Sequence, residues 1–269
     1  MDRITPSALA HPVRALIVGY AVAFALPWSV WGTLIAEQHG LLSWHLPQAL
    51  AFWAGLPVAV IAAALAGGGW GGLTQIALRL VHWRVGVRWY VAAIGAAAAI
   101  PLLVLFFAQL AVIHSPTGLL PVSQIPLSLL LETLMFWLTE EAMWRGVAQP
   151  SFQLWLNPAV ASVAVGVLWA LWHLPLFAIR GSFQSDLPYF GFFVLTVATA
   201  IVLGWLFVRS GGSVLICALY HGVVDVTFAA SGVLSASPWT FWAVVGFQSL
   251  LALLLWRPLA HAVAPARVG

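Results

Sequence analysis

Long apolar stretches separated by short polar connectors dominate the chain. Each stretch is close to the roughly 20 residues that an α-helix needs to cross the hydrocarbon core of a bilayer. The pattern therefore predicts an all-α polytopic membrane protein of eight transmembrane helices, forming a single integral membrane domain over residues 1–269. The predicted spans cover residues 15–36, 48–66, 90–113, 126–147, 158–179, 189–208, 213–230 and 239–256.

Composition agrees with this prediction. Hydrophobic residues make up 63% of the chain and charged residues 6%, whereas soluble domains carry about 25% charged residues. So few charges cannot cover the surface of a soluble globule. The first stretch follows two arginines, as a signal peptide would, but it is longer than the apolar region of a typical signal peptide. Many of the 16 tryptophans lie near predicted span ends, as in an aromatic belt.

The arginines predict the orientation. With eight spans and both termini in the cytoplasm, only Arg180 lies at the opposite side. An error of one span would scatter the later arginines over both sides. A composition rich in Ala and Arg, without Lys, favours a prokaryotic cytoplasmic membrane. The arginines assigned to the cytoplasmic side are Arg3, Arg14, Arg79, Arg84, Arg88, Arg145, Arg209, Arg257 and Arg267.

The connector between the second and third spans has its own pattern. A glycine-rich run over residues 67–72 breaks the helix, and residues 73–90 then combine three arginines with apolar residues. We predict an interfacial amphipathic helix there, suited to anionic headgroups rather than to nucleic acid. Its simplest role is a topology anchor, and a contact with substrate or lipid is the alternative. Its charged and aromatic residues are Arg79, Arg84, Arg88, Trp83 and Trp89.

Three carboxylates and one guanidinium lie on the predicted fourth span, where each is costly unless it is paired or faces water. Glu141 and Arg145 are four residues apart and can form an ion pair on one helix face. Glu140 lies about 100° around the helix from Glu141, so it is left for another partner and is the candidate general base. For Glu132, two turns earlier, a hydrogen bond between helices is the simpler interpretation.

Two other spans carry ionisable side chains. His173 stands near the end of the fifth span, and His221 and Asp225 are four apart on the seventh. Three spans with such groups can bury them economically only against one another, so we expect them to converge with Glu140 and Glu141. These residue types activate water and bind an oxyanion, or hold a divalent metal such as zinc that does both.

The motifs Glu140-Glu141-x-x-x-Arg145, Trp169-x-x-x-His173 and His221-x-x-x-Asp225 resemble those of the CAAX protease and bacteriocin-processing family (CPBP, Abi type). The resemblance covers residues 132–230. It implies that Glu140 and His173 activate water, and that His221 and Asp225 bind the oxyanion or a metal. The family usually has Phe at the position of Trp169, and its eukaryotic prenyl-protein members usually have Asn at that of Asp225.

The resulting interpretation is an intramembrane endopeptidase that cleaves a membrane-associated peptide or a lipidated protein, with its catalytic core at about residues 126–231. Glu140, Glu141, His173, His221 and Asp225 are the predicted site, supported by Arg145 and Trp169. A metal would use Glu140, His173, His221 and Asp225. Membrane lipid and a peptide substrate are the expected partners, and nucleic acid is not. A bacteriocin-immunity factor or scaffold without catalysis, and a proton-coupled transporter, are the alternatives.

Overall fold

A computed structural model describes residues 9–47, 55–111 and 120–262. These residues contain no β-strand and form eight helices that are long and apolar enough to cross a membrane. The predicted all-α class and the eight spans are therefore confirmed. Residues 48–54 of the predicted second span and 112–113 of the third lie outside the described residues. The spans run over Pro12–Gln38, Leu56–Leu80, Val87–Leu110, Val122–Phe152, Pro158–Ala178, Tyr189–Arg209, Val214–Ser231 and Pro238–Ala260.

The second span bends sharply where the glycine run predicts a break. Gly68 has φ 175° and ψ 19°, and Gly69 has φ 56° and ψ −138°, a conformation that favours glycine. The helical segment beyond the bend ends at Leu80, and the third span already begins at Val87. The prediction of one interfacial helix over residues 73–90 is therefore wrong in extent.

Arg79 also departs from the predicted contact with lipid headgroups. Its side chain is buried and donates from Nη1 to the carbonyl of Gly146, on the fourth span, at 2.5 Å. Arg84 and Arg88 do remain exposed. The guanidinium carbon of Arg84 lies 5.1 Å from the ring centre of Trp83, and that of Arg88 lies 5.0 Å from the ring centre of Trp89. Only the part of the connector beyond Leu80 keeps its arginines at the surface.

Contacts between connectors define the two ends of the bundle. At one end, the guanidinium of Arg180, after the fifth span, donates to the backbone carbonyl of Gln38, at the end of the first span, at 2.8 Å. At the other end, the hydroxyl of Ser213, before the seventh span, donates to the carbonyl of His82, after the second, at 2.6 Å. This pairing agrees with the alternation of eight spans. The cytoplasmic location of the termini stays a prediction.

The fourth span is interrupted twice, whereas the sequence predicts one helix over residues 126–147. A helix over Ile125–Leu138 ends at Thr139, whose φ of −116° and ψ of −91° are not helical. The chain continues as a short helix, Glu140–Met143, a π-helical turn, Trp144–Ala148, and a last helical turn, Gln149–Phe152.

The sequence accounts for the second interruption better than for the first. The hydroxyl of Thr139 donates to the carbonyl of Met135 at 2.6 Å, but Thr227 makes the same kind of bond to Val223 within the uninterrupted seventh span, so this bond alone does not explain the break. Further on, Pro150 has no backbone N–H for the carbonyl of Gly146, and its ring would collide with that carbonyl in an α-helix. The π-helical turn separates these two groups. The glutamate pair thus lies between two deviations from α-helical geometry.

Candidate active site

Glu140 begins the short helix that follows the break at Thr139, and its side chain is 8% exposed. Its Oε2 atom accepts hydrogen bonds from the indole Nε1 of Trp169 at 2.5 Å and of Trp144 at 3.3 Å. Two donors on one oxygen fix the carboxylate plane, while Oε1 takes part in neither bond. Trp169 was predicted only as a supporting residue, and Trp144 was missed although it lies one helical turn after Glu140.

Glu141 is fully buried and contacts two groups that can carry a positive charge, Arg145 and His221. Its Oε2 accepts from Nε of Arg145 at 3.2 Å, and its Oε1 lies 3.0 Å from Nδ1 of His221. Arg145 is also fully buried, and its guanidinium carbon lies 5.9 Å from the ring centre of Trp169. The predicted ion pair between Glu141 and Arg145 is therefore present, and Glu140 uses different partners, as its position around the helix indicates.

His173 caps the C-terminus of the helix Pro158–Trp172 and is buried. Its Nδ1 lies 2.9 Å from the carbonyl oxygen of Trp169. Because a carbonyl only accepts hydrogen bonds, Nδ1 carries the proton in this contact and the neutral ring keeps its lone pair on Nε2. Edge contacts with the rings of Trp172 and Phe192, at 4.9 and 5.1 Å between ring centres, hold the imidazole.

His221 is held from three sides. Its ring stacks on Phe136 with 3.6 Å between ring centres and 4° between planes, and it meets Trp169 edge-on at 5.2 Å. Glu141 accepts from Nδ1 on the third side. The sequence pattern did not indicate Phe136, because its contact with His221 crosses from the fourth span to the seventh.

The neighbouring glycine explains how these two spans come so close. A Cβ atom at Gly222 would lie 2.4 Å from Oγ1 and 2.9 Å from the backbone nitrogen of Thr133. Only a residue without a side chain permits this approach of the seventh span to the fourth. The Gly after His221 therefore helps to bring the imidazole to Glu141.

Asp225 lies one helical turn after His221 and is half-buried. It interacts electrostatically with His221 and with Glu140. Glu132, on the first helix of the fourth span, interacts in the same way with Asp225 and His221. Glu132 makes no hydrogen bond to another described residue, so the predicted hydrogen bond between helices is not found there. Its proximity to Asp225 adds a carboxylate that the sequence analysis placed outside the site.

The structure brings together the five residues predicted for the site. Glu140 and Glu141 come from the fourth span, His173 from the fifth, and His221 and Asp225 from the seventh. His173 interacts electrostatically with both Glu140 and His221, which links the three spans at one place. The side chains thus form a single polar cluster of two imidazoles and three carboxylates, in which only Asp225 is half-buried and the others are buried.

An apolar cavity of about 610 Å³ lies beside this cluster, between the third, fourth and seventh spans. Thr133, Val223 and Val226 are among its lining residues, and they neighbour Glu132 and Asp225 along the chain. Most of the other lining residues are Ile and Leu side chains. The cavity therefore lies close to Glu132 and Asp225, at one side of the polar cluster.

The predicted metal site does not match the arrangement of donors. In residues 9–47, 55–111 and 120–262, no group of three or more His, Cys, Asp or Glu side chains is placed to hold a metal ion. We therefore derive no step through a metal, and the use of one stays a prediction.

The segment that contains most of the cluster is similar to known proteins. Residues 121–227 match the family described as "Type II CAAX prenyl endopeptidase Rce1-like". The chain is also similar to "CAAX prenyl protease 2" of Methanococcus maripaludis, with 29% identity over 93 residues. That match covers 32% of this chain, and it spans about a third, 34%, of the relative's length. The segment that carries the three motifs is therefore similar to CAAX prenyl endopeptidases, the family that those motifs resemble.

Proposed function

We propose that the protein is an intramembrane endopeptidase with its catalytic core at about residues 126–231. The observation that supports this most is the convergence of Glu140 and His173 from two spans, each with an acceptor atom outside its own hydrogen bonds. Those atoms are Oε1 of Glu140 and Nε2 of His173. Two bases at one buried place can act in general acid–base catalysis: they remove a proton from water and return it to a leaving amine.

In the proposed reaction, water donates hydrogen bonds to Glu140 Oε1 and His173 Nε2. One of the two bases takes a proton as the water oxygen attacks the carbonyl carbon of the peptide bond. The tetrahedral intermediate then collapses, the C–N bond breaks, and the proton passes to the departing amine. The indole donors of Trp144 and Trp169 keep the Glu140 carboxylate aimed during both steps, which reduces the reorganisation that the reaction needs.

His221 is assigned to the oxyanion. In its doubly protonated form it donates Nδ1–H to Glu141 and Nε2–H to the developing negative charge on the carbonyl oxygen. Glu141 acts on His221 as the third group of a catalytic triad acts on its histidine, by fixing the ring and its tautomer. Asp225 lies next to this position, and in its protonated form it adds a second donor. Arg145 fixes Glu141 in turn.

The substrate class follows from the site's location among apolar helices. We propose a membrane-associated peptide or a lipidated protein, whose apolar part enters the cavity lined by Thr133, Val223 and Val226. The name of the archaeal relative includes a CAAX prenyl substrate, so a prenylated C-terminal peptide is the first substrate to test. Membrane lipid surrounds the eight spans, and no metal is used in the steps above.

The test is a cleavage screen with the purified full-length protein in lipid nanodiscs. Probes are farnesylated peptides that end in a CAAX sequence and unmodified apolar peptides of the same length, with products identified by mass spectrometry. We expect cleavage of at least one probe class, with one ¹⁸O atom from labelled water in the new carboxylate. Glu140→Gln should fold and cleave them on the order of 10²- to 10⁴-fold more slowly. No cleavage by the wild type, or equal cleavage by Glu140→Gln, would contradict the proposal.

A further inference from the structure

We propose that Arg79, on the second span, is a positioning residue for the glutamate pair. This inference rests on the proposed function, because it concerns the geometry of the same site. Arg79 lies outside the segment 121–227 that matches the family, and none of the three motifs includes it. It acts through the π-helical turn Trp144–Ala148, not on substrate.

The backbone carbonyl of Gly146 lacks its usual hydrogen-bond donor. In an α-helix this carbonyl would accept from the backbone N–H of residue 150, but residue 150 is proline and has none. A carbonyl buried among helices must find another donor, since an unsatisfied polar group is costly in such surroundings. The π-helical turn thus contains a backbone carbonyl, that of Gly146, without the N–H donor that an α-helix would provide.

Arg79 supplies a donor for the Gly146 carbonyl. Its Nη1 lies 2.5 Å from the Gly146 oxygen, and its side chain is 3% exposed. The same face of the second span places Ile76 against Gly146, since a Cβ there would lie 3.8 Å from Ile76 Cγ2. The bend at Gly69 makes this approach possible, because the segment after it turns against the fourth span.

The π-helical turn contacts the site through its first two residues. Trp144 and Arg145, the first two residues of the π-helical turn, hold Glu140 and Glu141 respectively through Nε1 and Nε. Without a donor for the Gly146 carbonyl the turn is free to shift, and a shift would rotate both side chains away from their carboxylates. Fixing Gly146 therefore fixes the orientation of the general base and of the residue that holds His221.

Arg79→Met and Arg79→Lys test this role in the full-length protein. Methionine keeps much of the length but has no donor, whereas lysine keeps one. For protein that elutes as a folded monodisperse species, Arg79→Met should lower kcat on the order of 10- to 100-fold with KM within about twofold of wild type, as expected for misplaced catalytic groups. Arg79→Lys should recover most of kcat. The matched control Arg84→Met, at an exposed arginine near the same end, should change neither constant.

A second readout does not depend on cleavage. In protein labelled with ¹⁵N at tryptophan, the indole N–H resonance of Trp144, assigned with Trp144→Phe, should move in Arg79→Met and stay in place in Arg84→Met. If the wild type cleaves no probe, the proposed function fails, while this spectrum still decides whether Arg79 positions Trp144. An unmoved resonance, or a folded Arg79→Met with the wild-type kcat, would overturn the inference.

If Arg79→Met does not fold, the same substitution is made together with Pro150→Ala. The alanine provides a backbone N–H at residue 150 for the Gly146 carbonyl, so the double variant should fold. A double variant that still fails to fold would overturn the inference, because Arg79 would then be needed for something other than that carbonyl.

Discussion

The fourth and sixth spans show how differently two helices of one bundle are built. The sixth, Tyr189–Arg209, is one uninterrupted helix with no charged residue between its ends, and most of its side chains are buried. The fourth, Val122–Phe152, is interrupted at Thr139 and by the π-helical turn, and it carries Glu132, Glu140, Glu141 and Arg145. Apolar burial thus goes with regular geometry, and the deviations occur where charged groups must be aimed.

The two halves of the fourth span repeat this difference on a smaller scale. Leu127, Leu130 and Leu131, before the break, are between 56% and 58% exposed and face the surroundings of the bundle. From Thr139 to Gln149 every side chain is buried, the charged ones included. A single straight helix would keep its two faces in register along its whole length. The break at Thr139 allows the second half to turn its polar side chains towards the fifth and seventh spans.

The largest expected effect on stability is that of Glu141→Gln. This change leaves the buried Arg145 without its counterion and weakens the bond to His221, so it should reduce the free energy of unfolding by roughly 3–5 kcal/mol. Glu140→Gln keeps an acceptor oxygen for the indoles of Trp144 and Trp169 and should cost no more than about 1–2 kcal/mol. Denaturation in mixed micelles measures both. Equal losses would mean that the two carboxylates do not divide their roles as described.

A smaller effect is expected where the fourth and seventh spans meet. Gly222→Ala forces a methyl group against the backbone of Thr133, so it should destabilise the protein by about 1–3 kcal/mol and lower activity by displacing His221. Gly246→Ala is the matched control, because a Cβ at Gly246 on the eighth span meets nothing within 4 Å. This control should change stability by less than about 1 kcal/mol. Similar values for the two variants would disprove the close approach.

The smallest effect is expected from Asp225→Asn. In the proposed metal-free reaction the amide donates to the oxyanion at least as well as the carboxyl group, so cleavage should continue at or above the wild-type rate, and a chelator should change neither rate. A metal bound by His221 and Asp225 requires the opposite result. Loss of activity in Asp225→Asn, together with reversible inhibition of the wild type by the chelator, would establish the metal that the sequence analysis left open.

The sequence was sufficient to predict the spans and the convergence of the ionisable side chains. The length of each apolar stretch determines where a helix crosses the membrane. Ionisable side chains in the bilayer core are costly in free energy unless they are paired, so the convergence of Glu140, His173 and His221 follows from that cost. The spacing of Glu141 and Arg145 likewise predicts their ion pair. These inferences need only composition, spacing and the absence of water in the bilayer core.

Details that depend on contacts between spans were beyond such reasoning. The predicted extent of the helix after the glycine run was wrong, because that helix ends at Leu80. The surface location predicted for Arg79 was also wrong, because its side chain is buried against Gly146. The break at Thr139 was missed, since threonine is common within helices that are not interrupted. Pro150 carried a readable signal for the π-helical turn, but the span was predicted to end at residue 147. Stacking of His221 on Phe136 has no counterpart in spacing along the chain.

The central claim is that Glu140 and His173 act as one water-activating unit assembled by the broken fourth span and the fifth. It is tested most directly by a double-mutant cycle of kcat/KM with Glu140→Gln, His173→Ala and the double variant, on whichever probe the wild type cleaves. Each single change should lower kcat/KM on the order of 10²- to 10⁴-fold, and the double variant should be no slower than the slower single variant. Losses that multiply in the double variant would show that the two residues act independently, and would contradict the account.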